Sequence, residues 1–167
     1  SVDGARRVRL DRGDISMPVV AAGSAGKAVV VHGESGVGKS ALVLAAATAQ
    51  PNATQAVCIN LRHLPNTTVE FESLLGCPLA LLLAELSAPE RLLVIDAADA
   101  VAEGMLEQLR YLVAAARAAS LGVVAISASD NKQVVRDIIA DCFRADVIEH
   151  GVPGLTDTQV DEVVATF

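Results

Sequence analysis

The sequence predicts an α/β fold, a three-layer α/β/α sandwich built on a parallel five-stranded sheet. Three observations point there. Short apolar runs alternate with helical patterns along the whole chain, and that alternation folds into a parallel sheet with helices on both faces. The 167 residues are 52% hydrophobic yet include one Tyr, three Phe and no Trp. The core is therefore aliphatic, as strands buried on both faces require. Each cluster of residues able to do chemistry falls at the carboxyl end of an apolar run, where ligands bind in such sheets.

The elements follow in order. Residues 1–26 are a lead-in of mixed, Gly-containing composition, with Arg6, Arg7 and Arg9 read as a solvated basic surface. Residues 27–32 carry Ala28-Val29-Val30-Val31, a short buried strand. Residues 39–50, rich in Ala and Leu, predict a helix stopped near Pro51. Residues 55–61 are the second strand. A short helix is expected at 68–76. A better one is expected at 78–86, with Leu79, Leu82, Leu83 and Leu86 at helical spacing and Pro78 in its first turn.

Residues 91–96 form the third strand. A long helix over 101–119 puts Met105, Leu109, Leu112, Val113 and Ala116 on one face. Residues 122–127 are the fourth strand. The helix at 131–143 presents Val134, Val135, Ile138, Ile139 and Cys142, and 145–149 is the fifth strand. Thr156 opens a last helix, with Gln159 at capping-box spacing and Val160, Val163, Val164 and Phe167 as its apolar stripe. The expected organisation is a core at 27–150 and the start of a following helical segment at 151–167. A chain that starts at Ser1 and ends inside a helical pattern reads as a piece of a longer protein.

Charge and cysteines narrow the function. The net charge of −7 gives no electrostatic reason for nucleic acid as the main partner. Cys58, Cys77 and Cys142 stand alone, without a CxxC pair or a metal-spaced His. They read as reduced thiols filling buried apolar space in a cytoplasmic protein. The most apolar stretch, 74–86, is interrupted by Gly76, Pro78 and Glu85 and is too short to span a bilayer, so no membrane partner is expected.

The strongest motif is Gly33-Glu34-Ser35-Gly36-Val37-Gly38-Lys39-Ser40, a match to G-x-x-x-x-G-K-[ST]. A loop that wraps phosphate needs Gly, because a Cβ would block the close approach and the left-handed backbone. Its successive N–H groups form an anion nest, and the helix that follows presents its N-terminus to the same charge. Lys39 supplies a mobile cation, the Ser40 hydroxyl a Mg²⁺ ligand, and Gly33 to Ala41 the cradle. The pattern should arise by chance in roughly one chain of this length in a hundred. Here it also follows a strand and opens a helix. The expected ligands are ATP (or ADP) and Mg²⁺.

Leu92-Leu93-Val94-Ile95-Asp96 lies one strand later, and Asp96 is 57 residues beyond Lys39. That spacing suits a Walker B strand whose Asp holds the Mg²⁺ shell. Asp99, three residues on, either orients or deprotonates the attacking water, or caps the next helix. Ser127 and Ser129 end the fourth strand as γ-phosphate sensors or as caps. Arg136 and Arg144 are candidate arginine fingers or solvated arginines. His32 abuts the loop without an evident catalytic duty, and His63 and His150 have no visible partner.

These residues resemble a STAND-type P-loop ATPase domain, the regulatory group that includes NACHT and NB-ARC proteins, and more widely the AAA-like ATPases. The resemblance covers about residues 25–167. It rests on GESGVGKS at 33–40, LLVIDAAD at 92–99, GVVAIS at 122–127 and Val152-Pro153-Gly154-Leu155-Thr156. It implies a strand order of 5-1-4-3-2, with catalytic roles for Asp96, Asp99 and Lys39. The Asp96/Asp99 spacing is similar to that of NACHT proteins, but the Glu those proteins place beside the second Asp is Ala100 here. The Glu that AAA enzymes place after the first Asp is Ala97.

The function expected is an ATP-binding, slowly hydrolysing module of a multidomain signalling or antiviral defence protein. Its nucleotide state would gate homo-oligomerisation and act on effector and sensor domains of the same full-length chain. The alternative is an AAA-type motor that remodels protein or acts with DNA. A degenerate scaffold would show damage at Lys39, Ser40 or Asp96, all intact, and a small-molecule kinase would need an Arg-rich lid, which the sequence lacks.

Overall fold

A computed structural model describes residues 26–49, 52–144, 146–154 and 156–157. Five strands carry the fold: β1 (Ala28–Gly33), β2 (Thr54–Asn60), β3 (Glu90–Asp96), β4 (Gly122–Ala128) and β5 (Val147–Gly151). The described α-helices that join them are α1 (Lys39–Thr48), α2 (Thr68–Leu75), α3 (Leu79–Ala84), α4 (Leu106–Ala118) and α5 (Lys132–Phe143). Two 3₁₀ turns, Leu61–His63 and Ala98–Glu103, follow β2 and β3. All pairings are parallel, in the order β2-β3-β4-β1-β5. This is the expected 5-1-4-3-2 order read from the other edge.

Alternation along the strands sorts the core into two layers. Val29, Val31, Leu92, Val94, Val124 and Ile126 face α1, which meets them with Val43, Ala46 and Ala47. Their neighbours Val30, Leu93, Ile95, Val123 and Ala125 face the other way. They pack on Leu79 and Leu83 of α3, Leu109, Leu112 and Val113 of α4, and Val135 and Ile139 of α5. Strands covered on both sides need no polar face, so they read as unbroken apolar runs. Each large side chain buried here contributes about 1.5–3 kcal/mol.

Polar contacts fix the connecting helices. The Thr67 hydroxyl accepts from the Glu70 N–H at 3.2 Å and caps α2, and Gly76 at φ 78° closes it. The Tyr111 hydroxyl accepts from the Leu79 N–H at 3.1 Å and donates to Glu72 at 2.7 Å, tying α2 and α3 to α4.

Several expectations need correction. The helix expected over 101–119 is split, because Gly104 at φ 95° ends the 3₁₀ turn and α4 starts only at Leu106. Met105 remains partly buried against the core. Val134 is 52% exposed. The buried row on α5 is Val135, Ile139 and Phe143, and Val134 lies about 100° around the axis from Val135. Leu82 also faces outward, and Pro78 precedes the first turn of α3 rather than sitting in it. β5 begins and ends two residues later than expected, in register with β1 from Ala28–Val147 to His32–Gly151.

The cysteines are not interior. Cys58 is exposed and the other two are partly buried. Cys58 lies on β2, an edge strand paired only with β3. An apolar groove of about 460 Å³, lined by Val57, Ile59, Phe71, Leu75 and Leu79 among others, runs along that edge. The basic cluster Arg6, Arg7 and Arg9, and the helix expected after Thr156 beyond Asp157, lie outside the described residues. Among the described residues no helix is long and apolar enough to cross a membrane.

Candidate functional site

Three features of the loop between β1 and α1 prepare it for an anion. Gly36 and Gly38 sit at φ 79° and 82°, in the left-handed region that a Cβ penalises. Gly38 is the N-cap of α1, which has no side-chain cap and no acidic residue in its first turn. No side chain of its own first turn takes up the N–H groups of that terminus, which suits them to an outside acceptor.

Gly33 is fixed by contact rather than by dihedral. A Cβ there would lie 2.7 Å from the Val152 carbonyl oxygen and 3.2 Å from the buried Val37 side chain. The Val152 N–H donates to the His32 carbonyl at 2.7 Å, so the strand cannot simply step aside. Gly33→Ala is therefore expected to lower unfolding free energy by about 1–3 kcal/mol in chemical denaturation.

Lys39 closes over its own loop. Its Nζ donates to the Gly33 carbonyl at 2.9 Å and to the Glu34 carbonyl at 2.7 Å. Glu34, Ser35, Gly36, Gly38 and Ala41 are exposed, and Lys39 and Ser40 are half-buried.

The next residue reaches across the sheet. The Ser40 hydroxyl donates to Asp96 Oδ1 at 2.8 Å, although 56 residues separate them. The Ala97 N–H donates to the same oxygen at 2.9 Å, which orients the carboxylate. The topology explains the meeting: β4 lies between β1 and β3, and all three run parallel, so their carboxyl ends share one edge of the sheet. A hydroxyl and a carboxylate joined in this way are the hard oxygen donors that Mg²⁺ prefers, so the residues fit that ion.

Beyond Asp96 the chain turns sharply. Ala97 adopts φ 53°, and Ala98–Glu103 winds as a 3₁₀ turn. Asp99 caps no helix, since α4 has Met105 at its N-cap. Its Oδ2 instead accepts from Arg62 Nη2 at 3.1 Å. Arg62 also grips Glu103, with Nη2 to Oε1 at 2.8 Å and Nε to Oε2 at 3.2 Å. Sequence reasoning missed Arg62 and Glu103. The only available signal was a polar pair, Asn60 and Arg62, closing the second apolar run.

The remaining candidates are placed as follows. Ser127 is fully buried and its hydroxyl donates to the Ala128 carbonyl at 3.0 Å, while Ser129 is exposed. Neither caps α5, whose N-cap is Asn131. Arg136 pairs with Glu149 at 3.2 Å. Arg144 ends α5 at φ 54°, its N–H on the Ala140 carbonyl. The His32 ring packs on Gly151, where a Cβ would come within 3.1 Å. Burial pushes His32 below its usual pKa, Lys132 adds to this and Glu149 opposes it.

A glycine loop after β1, an Asp closing β3, and β4 between these two strands define the fold of P-loop nucleoside triphosphatases. Solved structures share it. The DnaC helicase loader superposes with a TM-score of 0.51 at 12% identity, over 84% of this chain and 93% of that one. The Aeropyrum pernix ORC1 protein, solved in complex with DNA, gives 0.55 at 17%, over 88% of this chain and 46% of its own. Hsp104, solved with ATPγS and FITC casein, gives 0.56 at 16%, over 90% and 27%. These likenesses are ones of fold. The chain spans nearly all of the first structure and less than half of the other two. No protein-family profile matches the chain, and neither does any curated protein.

Proposed function

We propose that this chain is an AAA-type ATPase domain that binds ATP with Mg²⁺, hydrolyses it slowly, and uses the bound nucleotide to control assembly with its own copies and with protein or DNA. The observation that carries the reading is the 2.8 Å contact between Ser40 and Asp96. The solved relatives support it: one was determined with ATPγS, one with DNA, and one is a helicase loader.

The roles follow from chemistry. The loop N–H groups and the α1 N-terminus bind phosphate oxygens. Lys39 exchanges its two loop carbonyls for the triphosphate. Ser40 and Asp96 would hold Mg²⁺, which would neutralise charge on the phosphates. Asp99 orients the attacking water and accepts its proton. Slow turnover is the expectation because residues 97 and 100 are both Ala.

Two measurements on the purified chain test this: ATP and ADP affinity, and steady-state phosphate release, with Asp99→Asn as a control. Turnover at about 1 per second or faster is ordinary for an enzyme and would replace the slow switch with a motor. Ala97→Glu restores a carboxylate directly after Asp96. It is expected to raise turnover about 10-fold or more. The left-handed backbone at residue 97 strains Glu about as it strains Ala, so folding is retained. An unchanged rate would show that the missing carboxylate is not what limits turnover.

A second reading has its own support. The Asp96/Asp99 spacing favours a STAND-type regulatory module, in which ATP gates oligomerisation of a larger signalling or defence protein, and Ala at 97 and 100 suits the slow turnover of such a switch. Light scattering in ATP and in ADP tests it. A change of oligomeric state between the two nucleotides, without appreciable hydrolysis, is the outcome it requires.

A further inference from the structure

The strongest unassigned feature is the ion triad of Arg62, Asp99 and Glu103. The Arg62 backbone is held in place: its N–H donates to the Asn60 side chain at 3.0 Å, and the Leu61 side chain beside it is fully buried. Its guanidinium forks onto Glu103, the outer carboxylate at 54% exposure, and offers a further N–H to Asp99, the inner one at 23%. Among the described residues Arg62 holds Oδ2 of Asp99, and no hydrogen bond reaches Oδ1.

We propose that Arg62 is a positioning residue: anchored by Glu103, it fixes the Asp99 carboxylate in the orientation from which Asp99 serves hydrolysis. This rests on the ATPase reading above. The planar guanidinium fork constrains the rotamer of an aspartate on a 3₁₀ turn. Exposed pairs of this kind contribute little to stability, so the effect on rate separates from any effect on folding.

The experiment compares Arg62→Ala, Glu103→Gln, the double variant and wild type, reading ATP affinity, single-turnover hydrolysis and melting temperature. Arg62→Ala is expected to lower the hydrolysis rate about 10- to 100-fold, with ATP affinity held within about 3-fold and melting unchanged. Added guanidinium at millimolar concentration restores part of that rate and does nothing for wild type. Glu103→Gln loses less, and the double variant is no slower than Arg62→Ala alone, because both act through one contact.

An unchanged rate in Arg62→Ala overturns the proposal. So does an affinity loss matching the rate loss, which would make Arg62 a phosphate ligand, or a rate loss accompanied by a lowered melting temperature and no rescue. Wild type that binds ATP but releases no phosphate overturns the Arg62 role and leaves nucleotide binding standing. Wild type that binds none overturns both.

Discussion

Replacing Lys39 by Ala is expected to weaken ATP binding about 10- to 100-fold, the loss of a charge-assisted hydrogen bond worth about 1.5–3 kcal/mol. The ammonium bonds two loop carbonyls, Gly33 at 2.9 Å and Glu34 at 2.7 Å, so it already stands over the concave side of the loop. The chain carries a net charge of −7. A triphosphate therefore approaches against the overall field and depends on local cations and backbone N–H groups. The fold does not depend on Lys39: its partners are two carbonyls where β1 ends, and the core beneath is made by Val43, Ala46 and Ala47. Calorimetric titration and a thermal melt should thus give opposite answers, with affinity lost and melting kept. Unchanged affinity in Lys39→Ala would remove the phosphate-binding assignment of the loop.

The legibility of this site in the sequence divides along a physical line. Local geometry was readable. Gly36, Gly38, Lys39 and Ser40 lie within one loop and one helical turn, so their spacing alone fixes how they sit relative to one another. The strands were readable because burial on both faces leaves unbroken runs such as Leu92 to Ile95. Contacts between distant segments were not. Arg62 and Asp99 are 37 residues apart and meet only because β2 and β3 are neighbours in register, Asn60 opposite Asp96. The sheet order came from resemblance, since periodicity cannot rank strands.

The misplaced elements have separate causes. Val134 lies on the outer side of α5, Cys58 lies on an edge strand, and Gly104 interrupts the 101–105 stretch, and hydropathy registers none of these. Gly104 carried a readable signal, a flexible residue inside a helical pattern, but its left-handed conformation is set by the turn that follows Asp96.

Asp96→Asn is the sharper test of the site, because it removes charge and almost nothing else. The amide keeps the size of the side chain and an oxygen that can accept from the Ser40 hydroxyl and the Ala97 N–H, as Oδ1 does at 2.8 and 2.9 Å. The fold should hold, with the melting temperature shifted by about 2 °C or less. What disappears is the negative charge a divalent cation requires next to Ser40. Turnover is expected to fall about 100- to 1,000-fold, the scale seen when one preorganised electrostatic group is deleted from an active site. Affinity measured with and without EDTA gives the mechanism. In wild type, Mg²⁺ should strengthen ATP binding. In Asp96→Asn the two conditions should give nearly the same value, close to that of wild type without the metal. A variant that keeps the full Mg²⁺ enhancement would show that Asp96 only orients Ser40, and the metal would then have to be held by other groups.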